Sequence, residues 1–208
     1  MARAPRGYRT SVFINAPFTA DRRAVFNAIV FAVQACGFAP RCSLEFDNAG
    51  QIRLDKIRNL IRDCRLGIHD ISFMSLDGDV PRFNMPFELG LFLGAAHFGE
   101  GWSAKKACTI LDSEQYRYQR ALSDIAGQDI RAHECDPQVA LAQVRDWLSH
   151  QTKAAGTVPG AAALRALYEQ FEADLPTLAA AMNLAVDELN FIERRHLAGM
   201  AAPCCLTA

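Results

Sequence analysis

The hydrophobic positions of this chain change period repeatedly over its first 150 residues, passing from short apolar runs to apolar residues three and four apart. Residues 11–15 (Ser-Val-Phe-Ile-Asn) read as a strand. Residues 22–36 read as a helix, with Val25, Ile29 and Val33 on one face and Gly37 placed to stop it. Residues 39–46 make a second, more polar strand, expected near a sheet edge. Residues 51–64 repeat the helical spacing through Ile52, Ile57, Leu60 and Ile61, and 65–72 follow as a strand ending on polar residues. Glycine, proline and two aspartates make 73–84 a loop. A helix over 86–98, a strand over 106–112, a helix over 116–125, a strand over 130–133 and a helix over 137–150 complete the series.

Five strands in alternation with five helices predict an α/β domain built on a flavodoxin-like, doubly wound, five-stranded parallel sheet. Such sheets bind ligands beyond the carboxyl ends of their strands, at the point where the strand order reverses. The residues expected there are Asn15, Pro17 and Phe18 after the first strand, Asp47 after the second, Asp70 and Ser72 after the third, Asp112 after the fourth, and the segment around Asp124.

This α/β domain is assigned to residues 1–152. A small-residue stretch, Thr152-Lys-Ala-Ala-Gly-Thr-Val-Pro-Gly160, then opens a linker and helical C-terminal extension over 153–208. Leu164, Leu167, Tyr168 and Phe171 share one helical face, and 175–182 and 187–197 read as two further segments. This extension is expected to dock on the domain or to mediate self-association. Its faint helix-turn-helix pattern lacks the basic face that DNA would require.

Half of the 208 residues are hydrophobic and 22% are charged, which excludes a disordered, collagenous or coiled-coil chain. Twenty-two Lys and Arg against 23 Asp and Glu leave a net charge of −1, so nucleic acid is not the expected partner. The charge is uneven, with eleven Lys or Arg against five acids up to residue 65; the simplest reading is solvated helix faces. No apolar run is long enough to span a bilayer and no secretory leader is legible, so a cytoplasmic location is expected. The seven cysteines form no CxxC pair, and the five histidines have no metal-ligand spacing. No metal and no required cofactor are expected.

No P-loop, GxGxxG, HExxH or GxSxG pattern occurs, so the usual kinase, dehydrogenase, zinc-protease and lipase fingerprints are absent. The informative stretch is Arg82-Phe-Asn84-Met-Pro-Phe-Glu88-Leu-Gly90-Leu-Phe-Leu-Gly94. It sets a carboxylate, Glu88, in the first turn of an apolar helix just after the strand ending in Asp70, where the helix dipole is expected to keep it ionised. Gly90 and Gly94 are expected to let that helix approach the sheet. Spacing alone equally allows Glu88 to be the far half of a capping box and Asp70 to cap a local turn.

The ordered set of Asn15-Ala-Pro17-Phe18, Asp70-Ile-Ser72 and a following Glu88-Leu-Gly resembles the nucleoside 2-deoxyribosyltransferase family and the related TIR domains, over roughly residues 10–150. The resemblance implies a flavodoxin-like fold acting on N-glycosidic bonds. It makes Glu88 the catalytic glutamate, Asp70 a catalytic polar group near the leaving base, and Asn15, Pro17, Phe18 and Ser72 parts of the substrate pocket. The chain departs from the transferases in the loop before Glu88, where Arg82, Asn84 and Pro86 stand in place of an acidic residue and glycines. An arginine there suits a phosphate, which tilts the expected substrate towards a nucleotide such as NAD. The resemblance also implies a homo-oligomer. The alternative it leaves open is a nucleotide-binding sensor without turnover, of the kind used in signalling and antiphage defence.

Overall fold

The computed structural model describes residues 3–74, 83–152 and 158–202 in full, together with the backbone of residues 76, 77, 80 and 81. The chain folds as an α/β protein around a five-stranded sheet of β1 (Ser11–Asn15), β2 (Ala39–Arg41), β3 (Leu66–Asp70), β4 (Ala107–Asp112) and β5 (Ile130–Ala132). The strand order is β2-β1-β3-β4-β5 and every neighbouring pair is parallel, which is the flavodoxin-like order the alternating pattern predicts. The order reverses between β1 and β3. A two-residue antiparallel ribbon, Leu76–Asp77 with Val80–Pro81, lies inside the stretch read as a loop.

Helices cover both faces, as a buried parallel sheet requires. These are α1 (Arg23–Ala35), α2 (Arg53–Asp63), α3 (Asn84–His97), α4 (Pro137–Ser149), α5 (Ala161–Ala181) and α6 (Phe191–Ala201). The period of two in β1 divides its side chains between the faces. Val12 and Ile14 join Ile29 and Val33 of α1, Leu141 and Val144 of α4 and Leu164 and Phe171 of α5. Phe13 points the other way, to Ile57, Leu60 and Ile61 of α2 and Phe92 of α3. The C-terminal helices share the core of the sheet: Phe31 stacks on Phe171 at 5.1 Å, and Arg195 of α6 donates to the Pro40 carbonyl at 3.2 Å. No helix of the described residues is long and apolar enough to cross a membrane.

Several expected boundaries move. The second strand ends at Arg41, because Arg41 Nε reaches both oxygens of Glu45 (2.9 and 2.7 Å) and closes a 3-10 turn over Ser43–Glu45. Instead of a helix over 116–125 there are two 3-10 turns, Arg117–Arg120 and Ser123–Ile125. Tyr116 takes a left-handed φ of 64° before them, and Tyr118, Leu122 and Ile125 reach the cluster of Ile71, Leu89 and Ile110 without a continuous helix. Helix α5 runs unbroken through Pro176 where a separate segment from 175 was expected. Helix α6 starts at Phe191 because Asn190 forms a capping box with Glu193. Of the linker, residues 153–157 lie outside the described residues.

Sheet and helix approach closely at Gly67 of β3. A Cβ there would stand 2.7 Å from His69 Nε2 and 2.9 Å from the Phe92 ring, so only glycine lets α3 sit this close. Gly90 and Gly94 do not have this role. A Cβ at Gly90 meets nothing within 4 Å and one at Gly94 meets only Phe98 at 3.9 Å, so both face away from the sheet, contrary to expectation. Gly67→Ala is expected to lower stability by about 1–3 kcal/mol through overpacking, read as a fall in the urea midpoint at unchanged slope.

Candidate functional site

The carboxyl ends of β1, β3 and β4 bring together Asn15, His69, Asp70, Ser72 and Asp112, all buried. Asn15 is paired in register with His69 across β1 and β3. Its Nδ2 donates to the Met85 carbonyl in the first turn of α3 (2.9 Å) and to His69 Nδ1 (3.1 Å). A carbonyl only accepts, so the amide is oriented with nitrogen towards α3, and Nδ1 of His69 must be the unprotonated ring atom. Burial pushes the His69 pKa down to about 3, so the ring is neutral and carries its proton on Nε2.

Asp70 is held through a single oxygen. Its Oδ1 accepts from the Ser72 amide at 2.8 Å and faces His133 Nε2 at 3.3 Å. Two successive left-handed residues after β5, Glu134 and Cys135 (φ 55° and 58°), turn the Cys135 amide back to donate to His133 Nδ1 at 3.0 Å. That bond leaves the imidazole proton on Nε2, facing Asp70. Backbone strain is thus stored at the sheet's carboxyl edge, where functional sites concentrate it.

Asp112 is fully buried and its Oδ1 accepts from the Ser113 amide (2.7 Å) and Arg117 Nε (2.8 Å). Arg117 also donates to the Ile71 carbonyl at 2.9 Å, tying the ends of β3 and β4 together. Burial raises the Asp112 pKa and the Arg117 guanidinium only partly offsets it. Arg117, His69 and His133 have no role in the sequence pattern. The only legible signal is position, since His133 and Arg117 stand just beyond strand ends.

Glu88 lies in the second turn of α3 because the helix begins at Asn84, two residues before Pro86. It is buried, no described residue hydrogen-bonds it, and Phe83 at the N-cap makes no capping box. Burial pushes its pKa up to about 7, with Arg53 opposing weakly. The expected permanently ionised carboxylate is therefore corrected: dipole stabilisation fades beyond the first turn, and desolvation outweighs it.

The remaining predicted residues separate. Pro17 is buried in the loop after β1, but Phe18 packs on Phe26 at 5.0 Å and lines a different cavity. Asn84 is exposed at the start of α3, and Asp124 is exposed in the 3-10 turn Ser123–Ile125. Arg82 lies outside the described residues. In the cavity that Phe18 lines, about 780 Å³ between α1 and the C-terminal helices, Arg194 bonds Glu172 and the Asn190 side chain caps α6, while Arg23, Asn27 and Asp187 make no side-chain bond among the described residues.

Asn15 Oδ1, His69 Nε2, Ser72 Oγ and Asp112 Oδ2 are buried and have no hydrogen-bond partner. His69 Nε2 is turned back over Gly67 and Phe92, while the oxygens of Asn15, Ser72 and Asp112 lie at the ends of β1, β3 and β4, where neighbouring strands are about 4.8 Å apart. Buried polar groups are normally satisfied, so these atoms, at strand ends that Asn15 ties to the helix carrying Glu88, mark this edge as the candidate polar site. It offers oxygen acceptors to hydroxyl or amino groups and a carboxyl that exchanges a proton near neutrality. Among the described residues no group of three or more His, Cys, Asp or Glu is arranged to hold a metal ion. Comparisons with protein-family models, with curated proteins and with solved structures return no match.

Two stability outcomes follow from these groups. Glu88 has a folded pKa raised from 4.5 to about 7, so its neutral form favours the fold; this contribution is complete below pH 4.5 and is lost as pH rises through about 7. Between pH 4 and pH 8 the wild type should lose about 3 kcal/mol relative to Glu88→Gln, by urea denaturation of both proteins at each pH. Arg117→Ala should cost about 3 kcal/mol or more by leaving Asp112 buried without its cation. Arg117→Lys should restore little of it, because one ammonium cannot reproduce the fork that reaches both Asp112 and Ile71.

Proposed function

We propose that this protein cleaves or transfers the glycosyl group at the N-glycosidic bond of a nucleotide or nucleoside, with NAD hydrolysis ahead of deoxyribosyl exchange. The observation that carries the reading is Glu88: a buried carboxyl with no partner, on the helix that Asn15 ties to the switch point, with its pKa near 7. Its likeness in position to the glutamate of the deoxyribosyltransferase and TIR families supports the same role.

Breaking such a bond builds positive charge on the sugar, and an adjacent carboxylate stabilises or traps it. A half-titrated Glu88 is poorly prepared for that until a cation arrives. Nicotinamide attached to ribose is cationic, and its approach draws the Glu88 pKa down and ionises it; a neutral nucleoside does not. The orphan oxygens of Asn15 and Asp112 suit sugar hydroxyls. Arg53, exposed and without a bonded partner among the described residues, is available to a phosphate. Asp70, anchored by Ser72 and His133, orients the ligand. The thiols of Cys42 and Cys64 are in no disulfide, which is compatible with action in the reducing cytoplasm.

The test is incubation of wild type and Glu88→Gln with NAD, and separately with deoxynucleosides and free bases, followed by chromatography. Nicotinamide release or base exchange is expected in the wild type and at least 100-fold less in the variant. The wild-type kcat/KM should rise with pH through about 7, since it reports the free enzyme, while kcat with NAD should level at lower pH. Nucleotide binding with no product from either protein would replace this reading with that of a sensor.

A further inference from the structure

The C-terminal helices do not close fully on α1. The cavity left between them, about 780 Å³, lies within the roughly 300–1,000 Å³ of ligand pockets and far exceeds the voids of a packed interior. Three helices build it in the same way, each turning apolar and polar residues of one face towards it. On α1 these are Phe26 and Val30 with Arg23 and Asn27; on α5 Tyr168 stands with Glu172, and on α6 Phe191 with Arg194. Phe26, Val30, Tyr168 and Phe191 are buried and form the floor. Arg23 and Ala24 at the start of α1, and Asp187 in the connection between α5 and α6, are exposed and form the rim.

The charged groups of this lining divide into engaged and free. Arg194 and Glu172 bond each other, so their charges cancel. Arg23, Asn27 and Asp187 make no side-chain bond among the described residues, and no ion pair joins Arg23 to Asp187. A free guanidinium and a free carboxylate on one rim favour a ligand that carries both charges, because a simple anion or cation would meet one of the two as its like. Beneath the rim the rings of Phe18, Phe26 and Phe191 form a continuous series, with centroids 5.0 and 6.0 Å apart. Such a series offers edges and faces to one more ring.

We propose that this cavity is a binding site for an aromatic α-amino acid. Its carboxylate meets Arg23 and its ammonium meets Asp187, bridging two charges that do not reach each other, and its side chain joins the ring series below. Asn27, one turn of α1 beyond Arg23, offers both a donor and an acceptor to the same head group.

The site does not rest on the enzymatic reading, because binding alone tests it. Calorimetric titration of the full chain with L-phenylalanine, L-tyrosine and L-tryptophan should show binding of at least one, with a dissociation constant below about 1 mM. Phenylpropionate lacks the ammonium, phenethylamine the carboxylate and L-alanine the ring; each should bind at least about 10-fold more weakly than the amino acid. Arg23→Ala and Asp187→Ala should each weaken the amino acid by a similar factor with circular dichroism unchanged, since both side chains are exposed. Ala24→Trp, which fills the mouth from an exposed position, should abolish binding, and Arg58→Ala on the exposed face of α2 should leave it as it is. The proposal is overturned by no binding of any of the three amino acids up to about 5 mM, well above that dissociation constant. It is equally overturned by phenylpropionate or phenethylamine binding as tightly as the amino acid, or by affinity unchanged in Arg23→Ala, Asp187→Ala or Ala24→Trp.

Discussion

The distance between α3 and β3 governs what the carboxyl edge of this sheet can do. Gly67 lets Phe92 and His69 occupy the space where any other residue would carry a Cβ. His69 then lies against Phe92, with ring centroids 5.0 Å apart, and offers Nδ1 to Asn15. Asn15 in turn reaches the Met85 carbonyl, which fixes the first turn of α3 over the end of β1. Glu88 is one turn further along the same helix, so its burial and its raised pKa follow from this packing. A helix riding higher on the sheet would hydrate the carboxyl and return it to an ordinary value.

The layout of the fold was legible because it depends on features that are local in sequence. Strand and helix periods, proline and glycine punctuation and the strand ends at Asn15, Asp70 and Asp112 all belong to short windows. What was not legible depends on tertiary choices. The spacing of Tyr118, Leu122 and Ile125 satisfies a helix, but Arg117 is drawn to Asp112 and Ile71, and two 3-10 turns bury the same side chains. The glycines of α3 were assigned to the wrong face because helical spacing places residues on a common side without saying which side meets the sheet. The glycine that matters, Gly67, sits in a strand and carries no periodic signal.

The site is legible in the same divided way. Glu88, Asp70, Asn15 and Ser72 were found from their positions at element ends, and all four are buried there. His69 and His133 were not, since a histidine's role rests on which ring nitrogen is engaged and by what: Asn15, 54 residues away, engages Nδ1 of His69, and the Cys135 amide turns Nε2 of His133 to Asp70, 63 residues away. Phe18 was drawn off by a second aromatic, Phe26, which belongs to the packing of the C-terminal helices.

The polar groups at the edge are divided between fixed and unsatisfied atoms, and the division is itself informative. Asp70 and Asp112 each commit one oxygen to anchoring bonds, to Ser72 and His133 in one case and to Ser113 and Arg117 in the other. Asn15 commits its nitrogen in the same way and keeps its oxygen free. A fold under selection for stability alone would fill or remove such atoms, because each buried orphan costs about 1–3 kcal/mol. Here the anchoring bonds hold the free atoms in place, so their ordering cost is met by the fold before any ligand arrives. That is the arrangement that gives a site orientation as well as affinity. The two kinds of group therefore act differently. The clamped side chains fix geometry, while Glu88, buried without an anchor and near its titration point, is the one free to change charge.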